Sequence, residues 1–147
     1  MQVRPLWPTD RSQWDPLWEG YLEFYEHTVP DAVTEQTFGR LTGDDADMWG
    51  LVAVDGDELV GLCHLVLHPS TWSTGPYCYL EDLFVRRERR RGGVGRRLIE
   101  AAAEEGRRRG ATKLYWQTHE GNAMARRLYD AVAAHRGFLV YEVGLDD

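Results

Sequence analysis

Apolar side chains return at three- and four-residue steps along residues 14–25, as Trp14, Leu17, Trp18, Tyr21, Leu22, Phe24 and Tyr25, and that period predicts a helix rich in aromatics. A short strand is expected ahead of it at residues 3–6, ended by Trp7-Pro8, with Thr9 or Asp10 as the helix cap. Residues 34–41 read as a second short helix, broken at Gly43-Asp44-Asp45. The period then drops to two. Residues 49–54, the turn Asp55-Gly56-Asp57 and residues 59–67 predict an antiparallel hairpin from their turn chemistry and β-branched content. A loop at 68–76 leads into a long strand at 77–85, which runs directly into a turn of arginines and glycines. Beyond it, Val94, Leu98, Ala101 and Ala102 form an apolar stripe over residues 93–109, where Glu104 with Arg108 and Glu105 with Arg109 stand at i,i+4 spacing. Gly110 stops this helix. Residues 112–118 read as a strand, Asn122 caps a helix running through Tyr129 to about residue 133, and residues 138–145 read as a final strand. The order β-α-α-β-β-β-α-β-α-β predicts an α/β fold with a mixed sheet and helices on its faces.

Composition narrows the class. With 147 residues, 43% of them hydrophobic, the chain suits a single domain over 1–147 and shows no repeat or linker. No apolar run reaches membrane-spanning length, and Met1-Gln2-Val3-Arg4-Pro5 lacks the layout of a secretory signal, so a soluble cytoplasmic protein with no membrane partner is expected. Cys63 and Cys78 fall in strand-like segments without metal-ligand spacing and read as packing residues. His64, His68, His119 and His135 likewise form no ligand pattern, so no metal is expected.

The net charge of −7 argues against general nucleic-acid binding, and its distribution is more informative. Residues 1–85 hold three arginines against fifteen acids, whereas residues 86–147 hold fourteen bases against nine acids. Arg86, Arg87, Arg89, Arg90, Arg91, Arg96 and Arg97 crowd into twelve residues with Glu88 as the one acid among them. Such a cluster needs water or a counter-anion. Arg90-Arg91-Gly92-Gly93-Val94-Gly95 follows a strand and opens a helix, so its backbone N–H groups can converge on a phosphate that side chains would otherwise keep away. A Walker loop is excluded by the missing Gly-Lys-Ser/Thr ending, and the Rossmann pattern fails at Leu98, where glycine or alanine belongs.

Arg90 to Gly95 resembles the Arg/Gln-x-x-Gly-x-Gly/Ala turn with which the GNAT acetyltransferase superfamily cradles the pyrophosphate of acetyl-coenzyme A. Tyr79-Leu80-Glu81-Asp82-Leu83-Phe84-Val85 is similar to the preceding strand of diamine acetyltransferases and of a small histone and D-amino-acid acetyltransferase subgroup. Trp116-Gln117-Thr118, Asn122 and Leu128-Tyr129 resemble that subgroup's fifth strand and following helix, and Trp14, Leu17-Trp18 and residues 21–25 are also similar. Arg91 stands where the family has glycine, with Gly92 beside it expected to supply the backbone freedom. Ala133 and His135 alter the segment before Gly137-Phe138.

The resemblance implies a sheet of six to seven strands and N-acetylation of a primary amine on a small cationic or amino-acid-like acceptor, with acetyl-CoA as co-substrate. It implies that Leu83, Phe84 and Val85 hold the pantetheine arm, that Arg90, Arg91, Gly92, Gly93, Val94, Gly95 and Arg96 hold the phosphates, and that Asn122 and Tyr129 complete the coenzyme site. Tyr129 matches the family's general acid, and a phenol of ordinary pKa about 10 can protonate a thiolate. An alkyl ammonium must lose a proton before it attacks, and Glu81 matches the acid that serves amines in the diamine enzymes, directly or through water. Strand alternation sends Asp82 to the opposite face, so Glu81 is preferred as the base. Trp18, Tyr21, Tyr25, Glu26, Trp116 and Glu120 are the expected acceptor wall, where aromatic faces and carboxylates attract an ammonium. Relatives of this kind are often dimers, so a homodimer is expected. Two other readings stay open at this level: an acyl-CoA-binding regulatory module without catalysis, and an RNA-binding protein that uses the arginine loop.

Overall fold

The alternating segments pair much as their turn residues dictate. In the computed structural model, which describes residues 1–146, the sheet runs in spatial order β1 (Gln2–Pro5), β2 (Met48–Asp55), β3 (Glu58–His68), β4 (Tyr77–Val85) and β5 (Lys113–Tyr115). The first four strands pair antiparallel, and β5 lies parallel to β4. A parallel neighbour needs a crossover, and the helix α3 (Val94–Arg108) supplies it. Both expected ion-pair steps on that helix form, Arg108 with Glu104 and Arg109 with Glu105.

Helices cover both faces of this sheet. On one, Trp14, Leu17 and Trp18 of α1 (Arg11–Phe24) and Phe38 and Leu41 of α2 (Asp31–Thr42) pack with Leu6, Val52, Leu59 and Leu62. Gly61 precedes Leu62 and so faces the other side of the pleat, where a Cβ would press on Leu98 and Val94 of α3 at 3.1 and 3.2 Å. Glycine at this position lets the helix settle onto the strand. Cys63 and Cys78 are both buried and free. Asp10 precedes α1 without capping it through its side chain; its carboxylate instead takes the Trp7 N–H and both terminal nitrogens of Arg4, tying β1 to the helix start.

Contacts divide the chain into two units, Met1–Trp116, described so far, and Gln117–Asp147. The second holds α4 (Ala123–Val132), whose start is capped as expected by Asn122 accepting from the Ala125 N–H. Here the sequence-based expectation needs correction. Among the described residues the sheet has five strands rather than six to seven, because residues 138–145 form no strand and β5 ends at Tyr115. Phe138, Leu139, Val140, Tyr141, Val143 and Leu145 are all exposed. β-Propensity describes fitness for a paired, half-buried surface, and local residues cannot by themselves supply the partner edge. Among the described residues, no helix is long and apolar enough to cross a membrane.

Candidate active site

The coenzyme side of the site begins with what β4 leaves unpaired. β5 reaches only Tyr77, Cys78 and Tyr79, so among the described residues no strand lies beside Leu80–Val85 on that edge. Leu83, Phe84 and Val85 are held from the other side by Cys63, Leu62 and Gly61. The open edge offers backbone donors and acceptors to an extended chain with amides of its own. The residues expected to hold a pantetheine arm therefore line a surface that could accept one.

The turn after β4 comes next. No side chain caps the start of α3, so the first-turn N–H groups, including those of Val94, Gly95 and Arg96, lack intrahelical partners and suit an anion. Gly93, the residue before the helix, is left-handed at φ +82°, a conformation glycine adopts without steric cost. Arg91 is left-handed too, at φ +69°, so the freedom expected from Gly92 is taken up by a residue with a side chain. The arginines do not converge on one point. Arg86 pairs with Glu58 and Arg89 with Asp55, pinning the turn to the β2–β3 hairpin, and Arg96 pairs with Glu100. Arg90 folds back on β4: its Nε donates to the Val85 carbonyl at 3.0 Å, and its guanidinium lies over the rings of Phe84 and Phe24. Arg90 thus braces the turn, Arg97 donates to the Met1 carbonyl, and the uncapped α3 start lies beside the exposed Arg91.

The acceptor side is built around a bulge. Leu65 stands opposite Leu80 and His64 opposite Asp82, so Glu81 is the extra residue of β4. In an unbroken register Glu81 would face His64, and Asp82 would fall opposite Cys63. The bulge moves Asp82 onto the α1 side, against the expectation that alternation turns it away. There Asp82 Oδ2 meets His64 Nδ1 at 2.8 Å, while His64 Nε2 accepts the Trp14 indole N–H at 3.1 Å. Sequence reasoning missed both His64 and Asp82. The available signals were a polar residue inside the apolar run of β3 and two adjacent acids interrupting the alternation of β4.

Glu81 keeps an exposed surface, yet protein crowding around its carboxyl raises its pKa above the ordinary carboxylate range, and the Asp82 charge adds to this. Tyrosines surround the two acids. Burial first, then the charge of Asp82, holds the Tyr21 phenol far above its ordinary value, and the same causes raise Tyr25. Tyr79 is pushed up to about 12 by burial and then by Glu81, and Tyr115 rises for the same two reasons. At neutral pH these phenols therefore stay protonated and can donate hydrogen bonds without acting as bases.

The expected acceptor wall is only partly brought together. Tyr21 and Tyr25 pack ring to ring beside Asp82. Trp18 is buried between Trp14 and Tyr21, donates to the Thr34 hydroxyl, and with Glu26 borders a groove of about 680 Å³ between α1 and α2. Trp116 closes the first unit just beyond β5. Glu120 lies in the second unit, where its carbonyl accepts from Arg126, and Tyr129 lies on α4 in that same unit. Among the described residues, no cluster of three His, Cys, Asp or Glu side chains could hold a metal ion.

With this geometry in place, comparison with known proteins gives a consistent result. Residues 14–133 match the acetyltransferase (GNAT) family. The chain is 31% identical over 142 residues to the D-amino-acid N-acetyltransferase HPA3 of Saccharomyces cerevisiae, covering 95% of this chain and 88% of that protein. It is 37% identical over 83 residues to the thialysine N-epsilon-acetyltransferase of Caenorhabditis elegans, covering 56% and 51%. Among solved structures, AAC(6')-Iy in complex with the bisubstrate analogue CoA-S-monomethyl-acetylneamine superposes with a TM-score of 0.85 at 17% identity, over 99% of this chain and 98% of that one.

Proposed function

The chain belongs to the acetyltransferase (GNAT) family and is an acetyl-CoA-dependent N-acetyltransferase, and from that premise we propose that it acetylates the primary amine of a small cationic or amino-acid-like acceptor. The observation that supports the reading is β4 itself, which among the described residues has no strand paired along Leu80–Val85 on the β5 side, carries two adjacent carboxylates, and leads through a turn to an uncapped helix start. Acetyl-CoA supplies the activated acetyl thioester. In this reading the backbone of Leu83, Phe84 and Val85 orients the pantetheine amides, and the amides opening α3, with Arg91, hold the diphosphate. Glu81 takes the proton that the acceptor's ammonium must lose, for which a raised pKa is the useful direction. Tyr129 gives its phenolic proton to the departing sulfur as the C–S bond breaks and the C–N bond forms.

D-amino acids and thialysine, on which the two relatives act by name, carry the amine and charge that this wall suits. Thiol release from acetyl-CoA with a panel of D-amino acids, thialysine, lysine derivatives and polyamines tests the proposal. The expected result is saturable release with at least one of them, reduced about a hundredfold in Tyr129→Phe. No release with any member of the panel overturns it. A cytoplasmic homodimer belongs to the same reading, supported by the exposed apolar side chains of residues 138–145; light scattering at twice 16.9 kDa is expected, and a monomer at every concentration would refute it.

A further inference from the structure

Two nitrogens of one buried ring have settled partners. An indole N–H can only donate, so the 3.1 Å contact from Trp14 makes His64 Nε2 an acceptor and leaves the ring proton on Nδ1. From Nδ1 it is donated at 2.8 Å to Asp82 Oδ2. Trp14 is fully buried and His64 is 2% exposed, so the bond between them forms away from water, where losing a partner is most costly, while the bond to Asp82 is part-buried. The chain of donors runs one way, from a core indole through an imidazole to a carboxylate at the rim.

A core histidine needs its polar atoms satisfied, but that requirement does not explain where this chain ends. It ends on Asp82, which reaches His64 only because β4 carries an extra residue, and that extra residue is Glu81. One bulge therefore frees the proposed base and turns its neighbouring acid onto the donor. We propose that Trp14 and His64 are positioning residues for acetyl transfer: they hold the Asp82 carboxylate in the orientation that seats the acceptor's ammonium against Glu81. The inference rests on the acetyltransferase reading above. Tyr21, Tyr25, Tyr79, Cys63 and Glu81 are the other titratable groups within electrostatic reach of Asp82; burial raises the pKa of each, so the phenols and the thiol stay neutral and none of them competes with Asp82 as an anion.

Two substitutions at one position separate positioning from packing. In His64→Asn the side-chain amide can still donate from near the place of Nδ1, whereas in His64→Gln it reaches the place of Nε2 and can accept from Trp14 but offers Asp82 nothing. Loss of a hydrogen bond to a charged group predicts kcat/KM for the amine about tenfold lower in His64→Gln, with the Kd for acetyl-CoA within about twofold of wild type. His64→Asn should stay within about threefold of wild type in kcat/KM while melting lower, because it orphans the buried Trp14 N–H. Equal losses in the two variants, or no loss in His64→Gln, would overturn the positioning role. If His64→Gln fails to bind acetyl-CoA, Trp14→Phe decides instead: the amine kcat/KM should fall several-fold at unchanged KM for acetyl-CoA, and an unchanged value refutes the proposal. Absence of turnover by the wild type with every amine would sink acetyl transfer itself, whereas turnover unaffected by these variants would sink only the positioning role.

Discussion

The turn before α3 and the carboxylate wall beneath α1 both border the C-terminal half of β4, yet they are made in opposite ways. The turn is contiguous in sequence, largely exposed, and shaped by backbone: two left-handed residues, an uncapped helix start, and arginines mostly committed to hairpin, helix and strand. The wall draws Trp14, Tyr21, His64 and Asp82 from three distant elements and is shaped by side-chain hydrogen bonds. Backbone amides can hold an anion without being desolvated themselves. A carboxylate that must orient a cation and pass a proton needs protein packed around it. On this account, damage to the turn should weaken the coenzyme, and damage to the wall should slow the chemistry.

Glu81→Gln tests that division most severely. Removing a positioned base should lower kcat by about a hundredfold or more while the Kd for acetyl-CoA, read by calorimetry, stays where it was. The same substitution should raise Tm at neutral pH. A carboxyl whose pKa is higher in the folded than in the unfolded chain loses stability as pH rises through that window, and glutamine escapes the loss. A loss confined to coenzyme affinity would erase the distinction between the two regions.

Gly93→Val is the matching experiment on the turn. At φ +82° a β-branched side chain is strained, so the start of α3 should shift and KM for acetyl-CoA rise about tenfold, with the amine KM unchanged. A rise in the amine KM of the same size would mean that the turn and the wall are one mechanical unit.

Asp82→Asn then asks how the wall tunes its base. Crowding is the larger cause of the raised Glu81 pKa and the Asp82 charge the second, so removing that charge lowers the pKa while the crowding still holds it up. The base works deprotonated, and the acid limb of the pH profile of kcat/KM should therefore move to lower pH. A limb that stays fixed, or moves upward, would remove Asp82 from the surroundings of the base.

The difference between the regions also explains what could be read from the chain alone. The turn was legible because strand, arginines, glycines and helix follow one another within twenty residues, and the local rules for each are strong. His64 and Asp82 lie eighteen residues apart and meet through a bulge that breaks the very alternation used to place Asp82. Residues 138–145 misled for a related reason: their pattern suits a strand, but pairing is a property of two segments. The order of the elements through α4 was readable throughout, since hairpin turns, caps and the α3 stripe all act within a few residues.

Arg91 offers the finest test, because one residue combines an exposed charge in the turn with a left-handed backbone. Arg91→Gly removes both the charge and the strain, whereas Arg91→Ala removes the charge and keeps the strain. If a guanidinium here contributes to holding the diphosphate, both variants should raise KM for acetyl-CoA by the same few-fold, with a loss of about 1 kcal/mol as expected for one solvent-reached charge. Stability should separate them. Left-handed backbone costs an ordinary residue about 1 kcal/mol relative to glycine, which in a chain of this size amounts to about 2–4 °C in Tm, with Arg91→Gly the higher. Equal melting temperatures would mean that the turn relaxes around any residue, and the turn would then owe its shape to the Arg86, Arg89 and Arg90 anchors and not to its own backbone.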